Sequence, residues 1–129
     1  MKLFLLTVFF TFTSMAEAHQ YIQCSNVDMN SDDRAVISLN GAKSTLFMTS
    51  GVADPDEVRV LKSISLLGVK GDKTIYQAQD DQTIETVIIP SEIIGKNSNY
   101  FSLTINLSSL DGTYKVSEEM SCFSSLYND

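Results

Sequence analysis

The chain has 129 residues, 43% hydrophobic and 19% charged, with no Trp, two Cys, one His and a net charge of −7. That apolar content is too high for a disordered chain, and the length suits one domain behind a targeting segment. Sixteen acids against nine Lys and Arg argue against a nucleic-acid binder, which needs clustered cations, and against docking on anionic lipid.

The N-terminus carries the most specific signal. Lys2 precedes the apolar run Leu3 to Phe12, broken only by Thr7 and Thr11, and Ala16-Glu17-Ala18 has the small-x-small form of a signal-peptidase site. A membrane span needs about 20 apolar residues, and this run is too short. The expected organisation is a cleaved signal peptide over residues 1–18 and a single β domain over 19–129, exported to a periplasm or an extracellular space. Cleavage after Ala16 is the alternative. Cleavage after Ala18 removes one cation, Lys2, and one acid, Glu17, so the net charge stays at −7. No membrane insertion of the mature chain is expected, because no second long apolar run follows.

Tyr21 to Cys24 reads as the first strand. The following loop holds Asp28-x-Asn30-x-Asp32, whose alternate oxygen-bearing side chains are a weak candidate for Ca²⁺. The EF-hand pattern fails, because Asp33 stands where the turn needs Gly and Leu39 stands where the bidentate Glu belongs. A solvated turn accounts for the same residues. Ala35, Ile37 and Leu39 then alternate, Asn40-Gly41 turns the chain, and Leu46 and Met48 return it.

The next segment has two readings. Asp54-Pro55-Asp56-Glu57 resembles a helix start, with Val60, Leu61, Ile64 and Leu67 on one face, giving a short helix over 55–67. Val58, Val60, Ile64 and Leu66 also fit a strand interrupted by Lys62, and the β-branched content favours this second reading. Ile75 to Gln79 follows a Gly71-Asp72 turn, and Thr83 to Ile89 ends at Pro90, where a helical turn to Ile94 can form.

Phe101, Leu103, Ile105 and Leu107 alternate with polar residues, and Asp111-Gly112 is a hairpin signal. Tyr114, Val116, Met120 and Cys122 share one parity, and so does Glu118. A bulge that re-phases the strand is the preferred explanation of Glu118, and an open rim is the other. Cys24 and Cys122, in the first and last strands of an exported chain, read as one structural disulfide. Metal or redox thiol pairs lie closer in sequence. The sum is an all-β fold, a small antiparallel barrel or sandwich of seven to eight strands. Its outline is similar to that of lipocalins and small periplasmic lysozyme-inhibitor domains, in shape alone: the lipocalin Gly-x-Trp is missing, as is any inhibitor motif.

The residues offer no convergent catalytic set. His19, the sole histidine, falls at the mature N-terminus, where no strand would hold it for a triad. Asp80/Asp81 reads as a hairpin tip, and Glu118 and Glu119 point to opposite faces of a strand. Alternation puts Tyr76 and Tyr100 on the outer face, and Asn106-Leu107-Ser108 matches a glycosylation acceptor. The expectation is a non-enzyme: an exported binding or interaction module, such as an inhibitor or envelope-associated protein. It has no cofactor and engages a protein partner in the export compartment. The acidic surface favours a basic partner. The alternative is a carrier of a small apolar ligand in a barrel. A calcium-dependent module or metal-assisted hydrolase built on Asp28, Asn30 and Asp32 ranks below both.

Overall fold

Period-two alternation requires each strand to bury one face, and an antiparallel sheet closed on itself satisfies every strand at once. A computed structural model describes residues 18–26, 33–50 and 58–128. The apolar run expected to be a signal peptide, the candidate set Asp28, Asn30 and Asp32, and Asp54–Glu57 lie outside the described residues. Nine strands follow one another: β1 Ala18–Asn26, β2 Arg34–Leu39, β3 Thr45–Ser50, β4 Val58–Ser63, β5 Ser65–Lys70, β6 Lys73–Gln79, β7 Thr83–Pro90, β8 Ser98–Ser109 and β9 Lys115–Asn128. Two single 3-10 turns, Gly41–Lys43 and Ser91–Ile93, are the other regular elements among the described residues. The second is the helical turn expected after Pro90.

All pairings are antiparallel, in the order β4-β3-β2-β1-β9-β8-β7-β6-β5. The result is a nearly closed barrel. The first and last strands are neighbours, with Cys24 directly opposite Cys122, and their Sγ atoms are bonded at a Cα–Cα distance of 4.1 Å. The expected terminal disulfide is thus present.

The helical reading of 55–67 fails over the described part, 58–67, which is extended. Ladder pairing decides it: Val58–Ser63 pairs with β3 and Ser65–Lys70 with β6. The same segment explains why nine strands appear where seven to eight are expected. Residues 58–70 form one long stave that changes partner at Ile64.

The interior is packed by Ile22, Ile37, Leu46, Val87, Ile89 and Met120, all essentially inaccessible. These side chains fill the layer of the interior that they share. Glu118 lies opposite Ile105, in unbroken register from Phe101–Cys122 to Ser108–Lys115, so no bulge re-phases it. It faces inward at the barrel's lower rim, below Met120. The preferred bulge is therefore replaced by the open rim.

Candidate functional site

The shared stave defines the site. Its lower half, β4, bonds to β3 and leaves its other edge toward β6 and β7. Its upper half, β5, bonds to β6 and leaves its other edge toward the Gly41–Lys43 turn. The last bond on the β3 side runs from the Ile64 N–H to the Ser44 carbonyl at 3.0 Å. Among the described residues, backbone pairing is therefore missing along two half-seams, one lower and one upper.

Side chains bridge the lower one. Lys62 sits opposite Leu46 on the inward parity. Its Nζ donates to both Glu85 oxygens at 2.7 and 2.8 Å, to Asp80 Oδ2 at 2.8 Å and to the Thr83 hydroxyl at 2.9 Å. Glu85 is buried, 5% exposed. Burial pulls the Lys62 ammonium down, but hydrogen bonds to Asp80 and Glu85 outweigh it and hold its pKa above the ordinary value. The bond from Lys62, with the Gln82 and Thr83 N–H groups, holds Asp80 well below the usual carboxylate range.

The upper half-seam is open. A cleft of about 390 Å³ lies there, walled by Leu39, Gly41 and Ser44 on one side, Leu66 and Tyr76 on the other, and Gln20, Ile94 and Gly95 at the back. Gln20 fixes the back wall. Its Nε2 donates to the Ile93 carbonyl and the Ser124 hydroxyl, both at 2.8 Å, and its Oε1 accepts from the Gly95 N–H at 2.9 Å. Ser124 donates to the Lys96 carbonyl at 2.8 Å. These bonds strap the 91–97 connection across the upper end. Tyr76 shares the parity of buried Thr74 and Ala78, so it faces inward, not outward as alternation suggested. Its burial raises the phenol pKa. Tyr100 does lie outside, 72% exposed.

Along this opening β5 exposes Leu66, Leu67 and Val69 at 59%, 61% and 66%. Leu66 and Val69 pair with inward Tyr76 and Thr74, and Leu67 is the bulge residue between them. Leu66 and Val69 belong to the interior face by register yet remain in solvent, because no strand among the described residues covers them from the other edge.

Charge divides between the two ends. Lys43, Lys70, Lys73 and Lys96, four of the nine Lys and Arg, lie on the connections and strand ends that frame the upper opening. Two described acids, Asp72 and Glu92, lie with them. The lower end holds seven described acids, Asp33, Asp80, Asp81, Glu85, Asp111, Glu118 and Glu119, against four cations, Arg34, Arg59, Lys62 and Lys115. There the Asn26 amide donates to the Glu118 carboxylate, and the Asn26 N–H donates to the Asp33 carbonyl at 3.0 Å. Burial, with the nearby Asp33 carboxyl, raises the Glu118 pKa against the lowering effect of Asn26.

Among the sequence-derived candidates, Cys24 and Cys122 are brought together, whereas Asp28, Asn30 and Asp32 lie outside the described residues. Among the described residues no group of three or more His, Cys, Asp or Glu side chains is placed to hold a metal ion. Contrary to expectation a strand does hold His19: it lies in β1 opposite Tyr127, because the β1–β9 ladder extends past Tyr21 to Ala18. It packs on Tyr21 at 5.5 Å between ring centroids, and Tyr21 meets Tyr127 edge-on at 5.2 Å. Asn106 lies half-buried on the outer face of β8. Lys62, Glu85, Gln20 and Leu66 escaped the sequence reading as a set. One signal was available: Lys62 and Glu85 each break the inward apolar parity of their strand, and opposite charges at two such breaks predict one internal pair. No family model matches the chain, and neither does any curated protein or solved structure.

Proposed function

We propose that this chain is an exported, non-enzymatic binding module whose protein partner docks at the upper half-seam. The observation that carries it is β5, whose second edge has no strand partner among the described residues and which holds three large aliphatic side chains in solvent. Natural sheets guard such edges with charge, proline or a cover. Exposed apolar residues grouped beside a cleft mark interaction surfaces. The non-enzymatic reading rests on the residue inventory, which offers a single histidine.

The test is a comparative pull-down from the export compartment of the native host. The wild-type domain and a Leu67→Lys/Val69→Lys variant serve as baits, both with the disulfide formed and matching circular dichroism. A partner retained by the wild type and lost by the variant supports the reading. Identical captured sets sink it.

The carrier reading draws on the same cleft, whose volume lies within the range of small-molecule sites. It predicts a co-purifying apolar ligand, visible as added mass in a native mass spectrum. The packed core layer confines such a ligand to the mouth, and β5 would remain uncovered. The protein-binding reading accounts for both features.

A further inference from the structure

We infer that the partner supplies an extended segment that adds as a strand to the free edge of β5, with apolar side chains at alternate positions and acidic flanks. This deepens the reading above and rests on it.

The first argument is the interrupted line of β3. That strand runs antiparallel to the shared stave and begins at Thr45, opposite Ser63. Above it the ladder stops at the Ile64–Ser44 bond, and the chain turns away through Gly41–Lys43. A polypeptide laid antiparallel to Ser65–Lys70 continues the β3 line into the space the cleft occupies. β5 has six residues, so a segment of roughly 20 Å covers it.

The second argument is the pleat. Leu66 and Val69 have interior register and open exposure, so they lack only neighbours on the far side. Alternate side chains of an added strand would face Leu39, Leu66, Tyr76 and Ile94 and complete that core layer. Main-chain bonds give such complexes affinity, and side-chain pockets give them specificity. An acyl chain would fill the apolar cleft but leave the β5 backbone unpaired, so the edge favours a peptide.

The third argument is charge. Lys43 flanks one wall, Lys70 and Lys73 stand at the outer end of β5, and Lys96 follows the back wall. The whole-chain charge favours a basic partner, but this end of the molecule is its cationic end. A segment with acidic residues beside its apolar core meets complementary potential here.

A random decapeptide display library selected against the disulfide-bonded domain tests this. The expected winners alternate apolar residues between acidic flanks. Their amide shift changes should centre on 65–70, 40–44 and 95–96. N-methylation of alternate peptide amides should weaken binding at least about tenfold, or about 1.4 kcal/mol. Raising salt should weaken it further.

The inference is overturned if no peptide is enriched, or if N-methylated peptides bind as tightly. Basic winners, or shifts centred on Tyr21, Phe123 and Tyr127, also overturn it. Saturable binding of dodecanoate at Leu66 and Ile94 with no peptide enriched would assign the cleft to an amphiphile and overturn it too. The pull-down separates the two levels: a partner lost on Leu67→Lys/Val69→Lys with no peptide enriched keeps the binding module and removes strand addition. Failure of both removes the site.

Discussion

Lys62 is the residue on which closure of the lower half-seam depends. Its side chain is 18% exposed and that of Glu85 6%, so the pair is largely withdrawn from water. Replacing Lys62 with Met leaves the Glu85 carboxylate buried, with the Thr83 hydroxyl at 3.4 Å as its remaining described side-chain partner. Breaking a buried pair by removing one member costs about 3–5 kcal/mol. The residual exposure here reduces that, and Lys62→Met should lower the unfolding free energy by about 2–3 kcal/mol in urea titrations. Adding Glu85→Leu should recover most of the loss, because an apolar pair of similar volume carries no unpaired charge. A Lys62→Met loss below about 0.5 kcal/mol would mean that the network is no stronger than a surface ion pair. The Lys62 pKa is raised on folding, so its contribution is complete at neutral pH and fades only as pH rises through the folded-state value.

At the scale of elements, legibility follows from how cleanly each strand separates two environments. β8 was readable because Phe101, Leu103 and Ile105 are buried while their neighbours are not. Residues 58–70 were ambiguous for a physical reason. The lower half places a cation on its inner face, and the upper half exposes apolar side chains, so neither obeys apolar-in, polar-out. The free edge of β5 was not readable at all, since it is a property of which strands pair, not of any local pattern. The hairpin turns were readable, and the β8–β9 turn shows why Asp-Gly signals one. Gly112 takes φ 76°, and Asp111 Oδ1 accepts from the Thr113 hydroxyl at 2.6 Å, the Thr113 N–H at 3.0 Å and the Ser109 hydroxyl at 2.7 Å. These bonds, the Thr113 hydroxyl foremost, pull the Asp111 pKa down to about 2. Because the folded-state pKa is depressed, the turn's contribution is present above the unfolded value and is lost as pH falls toward about 2. Carbon-detected titration of the side-chain carboxyl should therefore find Asp111 still ionised at about pH 3, where ordinary aspartates, with pKa about 3.9, are mostly protonated. A midpoint at the ordinary value would show that the turn bonds do not persist in solution.

For the molecule as a whole, the question is what holds the ends of a meander together. Every pairing except β1–β9 joins strands consecutive in the chain. That one pairing must close a loop spanning the domain, at the greatest entropic cost in the fold. Register β1 against β9 places Cys24 and Cys122 opposite each other, 98 residues apart in sequence. The chain-entropy model gives about 4.7 kcal/mol for a loop near this length. A domain of this size is stable by only about 5–15 kcal/mol. Cys24→Ala/Cys122→Ala should therefore lower the unfolding free energy by about 3–5 kcal/mol, a large share of the whole. The loss should also be uneven. Without the bond, the β1–β9 seam is the joint with the least local support, so native-state hydrogen exchange should show β1 and β9 amides opening before those of β6, β7 and β8. The bond would then act as the clasp of an otherwise sequential sheet. An equal fall in protection across all strands would refute that role, and would mean that core packing of Ile22 and Met120 across the seam couples the barrel into one unit without it.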